Sequence, residues 1–340
     1  MKKSFQNIRR YSDSQSGFTL VELMISIALG LIIVAAAIQL FITGITSYKL
    51  QKAMAHIQDN ASFGLNFIVN DIRQANLSAP ASAVNDQIPY AGIVLTSKNV
   101  GKKINLNCQS CLSEDKLTTF GNSNVATIKN DQLIIRYQAP QDGFDCSGNT
   151  LSKSTFVVQR YFVGETERDT RRSLRCQAAQ YTQTQLNNIK ETDTPLALDW
   201  KDSQVILPNV DFFKVRFGYM DGDLADANST LAYTDINSYL ALTPKKKNVD
   251  GIVQSVRPHI HAIQLGVLVQ SSESTGNQAV VRERNKQSFR VLGADVTLLP
   301  ANQDTHLRQT LNQTVSLRNA MGWVSEGCDT SKSNTCSGGA

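Results

Sequence analysis

Proline is missing from residues 18 to 77, cysteine from the first 107 residues, and charge from the run Leu23–Ile45. Each absence excludes something. Without proline, a helix can run through that stretch unbroken, because no backbone donor is removed and no ring clashes with the turn before it. Without cysteine ahead of the apolar run, disulfides can form only on its far side, the oxidising side if the run crosses a membrane. Net charge is also small. The formal +5 includes Lys2, Lys3, Arg9 and Arg10 against Asp13; beyond residue 17 there remain 30 basic and 28 acidic residues. That balance does not advertise a polyanion, and nucleic acid is not an expected partner. No G-x-S-x-G or P-loop pattern appears, and no Ser-His-Asp set can be assembled. The chain is therefore not read as an enzyme, and no cofactor is expected.

What is present begins with the apolar run itself. LMISIALGLIIVAAAIQLFITGI (23–45) is polar only at Ser26, Gln39 and Thr43. It exceeds the roughly 20 residues a helix needs to cross the hydrocarbon layer. The basic residues before it place that side in the cytoplasm. A secretory signal would carry its small residue after the apolar core; here Gly17 comes before. Glu22 opens the run, where an ionised carboxylate is costly in lipid. Taken alone it reads equally as a helix-start acid favoured by the helix dipole.

SGFTLVELMIS (16–26) resembles the type III signal of the type IV pilins and type II secretion pseudopilins. The resemblance implies that a prepilin peptidase cuts after Gly17, that the new N-terminal Phe18 is methylated, and that Glu22 pairs with the terminal amine of a neighbouring subunit. The chemistry suits those residues. Glycine lets a protease approach the backbone closely. A carboxylate in lipid is relieved when a counter-charge docks in register.

Beyond the run, Leu50, Met54, Ile57, Ala61, Leu65, Ile68, Ile72 and Ala75 step by three and four. This predicts one apolar stripe on a helix continuing to about residue 77, with Asp59, Asn70, Asp71 and Arg73 on a wetter face. A sheet of the same chain is the expected cover, since the stripe is short for a coiled coil. After Pro80 the period changes to two. Leu133–Tyr137, Phe213–Tyr219 and Ile263–Val269 alternate as half-buried antiparallel strands, with 154–163 and 287–299 as further candidates. Polar stretches at 97–131, 139–153, 221–250 and 270–278 read as loops. The expected class is α+β: a basic leader (1–17) that is cleaved, a helix (18–78) that is transmembrane over 18–45 and amphipathic over 46–78, and a β-rich head (79–340). Its second helical half packs on an antiparallel sheet.

LIIRYQAPQDGFDCSG (133–148), VVQRYFV (157–163), SLRC (173–176) and VSLRN (315–319) resemble the PilW family of type IV pilus assembly minor pilins. This implies a structural subunit that primes assembly and sits at or near the filament tip. The implied partners are the prepilin peptidase, other minor pilins, the major pilin, a tip adhesin and the inner membrane. The implied location is the bacterial inner membrane, head in the periplasm, then the pilus on the cell surface. Two alternatives stay open: a tip pseudopilin of type II secretion, and an adhesive or DNA-binding module presented on the pilus.

Six cysteines allow 15 pairings. Closeness along the chain favours Cys108–Cys111, Cys146–Cys176 and Cys328–Cys336. Cys108-x-x-Cys111 lacks the second ligand pair of a zinc site and the βαβ setting of a redox site, so it reads as a local disulfide. His259 and His261 share a strand face without an acidic or cysteine partner nearby, and no metal is expected. DGDLADAN (221–228) breaks the calcium-loop pattern at Ala225 and Asp226 and reads as a solvated turn. Lys245, Lys246 and Lys247 read as a soluble loop tip.

Overall fold

The structure, a computed structural model, describes residues 17–108, 119–121, 124–126, 128–166, 169–190, 192–221, 230–249, 252–276 and 279–320. The chain divides into two compact units, 1–50 and 51–340. One continuous helix, α1 (Leu20–Gln74), contributes to both. Its part in the first unit is apolar and exposed all round, and α1 is long and apolar enough to cross a membrane. Hydroxyls in that stretch are satisfied locally: Ser26 donates to the Glu22 carbonyl at 2.7 Å, Thr43 to Gln39 at 2.9 Å and Thr46 to Ile42 at 2.7 Å. Such back-bonding removes free polar groups from an environment that offers no water.

In the second unit the rest of α1 is the spine of an α+β head. Eight labelled strands form two antiparallel sheets. The first holds β1 (Leu133–Gln138), β2 (Phe156–Thr166), β3 (Asp169–Tyr181) and β4 (Gln204–Leu207), in the order β4-β3-β2-β1. The second holds β5 (Val210–Asp221), β6 (Thr230–Thr234), β7 (Ile260–Ser274) and β8 (His306–Ser316), in the order β6-β5-β7-β8. Registers are set by pairs such as Tyr161 with Cys176 and Phe213 with Val267. Ile57, Ala61, Leu65, Ile68 and Ile72 share one core with Leu133, Tyr161 and Leu174 of the first sheet and Phe213, Leu265 and Val267 of the second. The helix therefore serves two sheets, where the sequence led us to expect one.

The stripe is buried from Ala53 and Ile57 onward, while Leu50 and Met54 are 36% and 44% exposed. They fall beside Lys52, whose ammonium meets Glu273 of β7 in a solvent-exposed pair at 3.2 Å. At Gly64 the helix approaches β4 so closely that an added Cβ would lie 2.8 Å from the Ile206 carbonyl oxygen and 3.0 Å from Leu207 Cβ. α1 ends at Gln74, four residues before the expected boundary. Asn76 turns into the left-handed region (φ 67°) and gives its N–H to the Arg136 carbonyl of β1.

Both sheets are covered on their second faces, which explains why the alternation was weak. Ile134, Phe156 and Val158 pack against Val94, Ile104 and Leu186. Phe212 and Leu268 pack against a hairpin pairing Phe289–Val291 with Ala294–Val296. The strand expected over 287–299 is that hairpin, preceded by a helix, Ala279–Lys286. β1 is buried on both sides and not half-buried as its pattern implied. The expected loop at 270–278 is largely β7. The lysine run lies in a strand, Lys245–Val249, paired with Ile252–Val256, and so is not a loop tip. Upper-edge donors of β5 that β6 does not reach are taken by the approach to β1: Phe213 N–H donates to Asn130 Oδ1 at 2.7 Å and Val215 N–H to Asp131 Oδ2 at 2.8 Å.

Candidate processing and assembly segment

Thr19 starts the helix. Its hydroxyl accepts the Glu22 N–H at 3.3 Å and its carbonyl accepts the Leu23 N–H at 3.2 Å, the arrangement of an N-cap. Glu22 is therefore at the third helical position. In a reciprocal capping box its side chain would turn back to Thr19. It does not: among the described residues its carboxylate has neither a hydrogen-bond nor an ion-pair partner. Phe18 is 82% exposed just before it. A Cβ added at Gly17 would meet nothing within 4 Å, so no contact among the described residues requires glycine there. The three positions singled out from the sequence thus lie together just ahead of the uncharged run 23–45.

Residues 12–38 match the family model described as the prokaryotic N-terminal methylation motif. Residues 160–319 match that of the Type IV Pilus-assembly protein W. The two matches make the chain similar to type IV pilins at its start and to a pilus-assembly family over much of its head. Among solved structures it is similar to a type IV-like pilin from Thermus thermophilus, at 14% identity and a TM-score of 0.36, covering 77% of this chain and 95% of that one. No curated protein matches its sequence. The methylation motif and the apolar helix fit anchoring of this pilin-like chain in a membrane.

The PilW-like region contains a device that holds the spine. Asn319, the last residue of VSLRN, donates its side-chain amide to the carbonyls of Arg73 and Ala75 at 3.1 Å and of Gln74 at 3.4 Å. A helix C-terminus leaves its last carbonyls without intrahelical partners; of these three, Gln74 also accepts the Leu77 N–H at 3.0 Å. Val315 and Leu317 of the same motif are buried in the shared core.

A second device was not legible. Asp71, assigned from the sequence to the wetter face, is turned to the first sheet and accepts the Tyr161 hydroxyl proton. With the Gln159 amide oriented to suit its surroundings, its nitrogen donates to Asp71 Oδ2 at 2.9 Å. Its oxygen accepts from the Tyr137 hydroxyl at 3.0 Å and from the Cys146 N–H at 3.2 Å. Burial pushes the Asp71 carboxyl up to about 6 against the pull of the Tyr161 hydrogen bond, and the nearby Asp145 charge adds to the rise. The signal that could have found it is its spacing from Ile68 and Ile72, which puts it beside the stripe and not opposite.

Cys146 joins Cys176 in a disulfide with Cα atoms 5.9 Å apart. In the chain-entropy account, closing a loop of this length is worth about 3–4 kcal/mol. Cys108 is disulfide-bonded as well. Cys111, Cys328 and Cys336, and all of DGDLADAN but its first residue, lie outside the described residues. The His259 and His261 rings are 6.5 Å apart, and burial holds His261 below the usual histidine range.

Proposed function

We propose that this chain is a minor pilin of a type IV pilus, made as a precursor that a prepilin peptidase cuts between Gly17 and Phe18. Phe18 is then methylated, residues 18–45 hold the protein in the inner membrane with its head in the periplasm, and the subunit primes assembly at or near the filament tip. Its partners on this reading are the other minor pilins, the major pilin and a tip adhesin. The observation that carries the reading is the Glu22 carboxylate, without a hydrogen-bond or ion-pair partner among the described residues, four residues after the new terminus. Cleavage creates an ammonium at Phe18, and the carboxylate of a neighbouring subunit is its natural counter-charge in lipid. The match of 160–319 to a pilus-assembly family supports a pilus over a secretion filament.

Mass spectrometry of the protein from membranes tests the processing step. Mature protein should begin at N-methylated Phe18, and Gly17→Val should leave the precursor uncut. Because a side chain at 17 meets open space, such a block would reflect the peptidase and not misfolding. Mature wild-type protein still carrying residues 1–17 would remove the proposal.

A further inference from the structure

A cleft of about 620 Å³ opens on the second face of the first sheet, lined by Ser78–Pro80 after α1, Tyr90, Lys103, Arg136, Phe156 and the short helix Gln183–Asn187. Its size falls within the range of small-molecule sites. Among the described residues two cations line it and no carboxylate does.

Arg136 is the unusual member. It is only 4% exposed, yet among the described residues no acid pairs with it. Its Nε donates to the Tyr181 hydroxyl and its Nη1 to the Tyr90 carbonyl at 2.8 Å. Its other neighbours are aromatic faces: Cζ lies 4.5 Å from the Phe156 ring centre, 5.4 Å from Tyr90 and 5.8 Å from Tyr181. Nη2 donates to no protein group among the described residues. A guanidinium carries five donors in a planar fork suited to a carboxylate, and a buried charge without its counter-charge is costly. The ammonium of Lys103, the second cation, donates to the Leu186 carbonyl at 3.1 Å.

The wall opposite is built at a cost. Tyr90 has φ 56°, a conformation unfavourable for a bulky side chain. Its ring lies over the backbone of Gly101, where a Cβ would come 2.4 Å from Tyr90 Cζ. Its hydroxyl is held by the Lys103 backbone. Strain of this kind persists where the surroundings enforce it, and it collects at binding sites. Here it fixes an aromatic wall beside an uncompensated guanidinium.

We propose that this cleft binds a carboxylate carried on a compact, partly apolar body, with Arg136 and Lys103 taking the charge and Tyr90 and Phe156 the body. The site is independent of the assembly role of Glu22. Two sources share this chemistry, the terminal carboxylate of a peptide and a sugar acid.

Calorimetric titration of the full chain in detergent micelles tests it, with micelles alone as blank. The probes are N-acetyl-L-phenylalanine, its neutral amide and glucuronate. At least one acid should bind, and the amide should bind at least tenfold more weakly than N-acetyl-L-phenylalanine if that acid is the one bound. Stronger binding of N-acetyl-L-phenylalanine assigns a peptide end; stronger binding of glucuronate assigns a sugar acid. Arg136→Gln and Lys103→Gln should each weaken the bound acid at least tenfold. Since Arg136→Gln can disturb folding, Asn187→Trp serves as a second variant: it fills the cleft from an exposed position and should abolish binding. The proposal is overturned if neither acid binds at millimolar concentration, if acid and amide bind alike, or if Asn187→Trp binds as the wild type does.

Discussion

The side chain of Asn76 donates to the backbone carbonyl of Asn319 at 2.8 Å, joining residues 243 positions apart. Asn319 in turn donates its own amide to the last carbonyls of α1. The end of the helix and the end of the second sheet therefore close on each other through two asparagines. Replacing Asn319 by alanine removes the side-chain donor from the Arg73 and Ala75 carbonyls, while Gln74 keeps the Leu77 N–H. We expect a loss of about 1–3 kcal/mol, read from denaturant unfolding of the full chain in detergent. Unchanged stability in Asn319→Ala would mean that water replaces the amide at no cost.

Asp71 makes stability depend on pH. The folded carboxyl titrates near 6, above the ordinary 3.8, so between those values the folded state keeps a proton that the unfolded state has released. Stability contributed by this group is full below about pH 4 and lost as pH rises through 6. Asp71→Asn should therefore stabilise the protein at pH 7.5 by an amount on the order of 1–3 kcal/mol, and by much less at pH 4. Melting curves of both proteins at the two pH values decide it, and an equal gain at both would exclude ionisation as the cause.

Gly64 and Gly30 make a matched pair for mutation. Alanine normally favours a helix over glycine by about 1 kcal/mol. At position 64 the new Cβ strikes the β4 backbone, and we expect a net loss of about 1–3 kcal/mol from overpacking. At position 30 nothing lies within 4 Å, so Gly30→Ala should leave head stability unchanged. Thermal unfolding of the two variants side by side makes the comparison. A Gly64→Ala protein as stable as Gly30→Ala would show that helix and sheet can separate freely there.

Glu22 should matter for assembly and not for folding. Its carboxylate contacts no described side chain, so Glu22→Ala should give stable, membrane-bound protein. Co-purification with the other minor pilins, and the number of surface pili, should both fall. Normal recruitment and normal piliation would leave Glu22 as a helix-start acid and nothing more.

The apolar first part of α1 was readable because its physics is one-dimensional. Uninterrupted apolarity, missing proline and the place of Gly17 and Glu22 need no knowledge of the fold. The lower stripe was readable too, apart from Leu50 and Met54, which carry the right spacing but stay exposed while Ala53 is buried. The head was harder. A strand covered on both faces loses its alternation, so Arg136 in LIIRYQ looked like a solvent residue although it lies under three rings. Asp71 misled for a related reason: a carboxylate beside an apolar stripe is wet unless a tyrosine from a distant strand arrives to meet it. Tyr161 is ninety positions away, and spacing carries no trace of that meeting.

The link between Cys146 and Cys176 also bears on how far this chain can be drawn out. Fully extended, the 30-residue separation would add about 100 Å of slack. The bridge withholds that slack. A pull arriving at β1 passes through sulfur directly into β3, and β2 between them never takes the load in series. Were the head strained until its sheets opened, the segment between Cys146 and Cys176 would yield no length until the bridge was reduced.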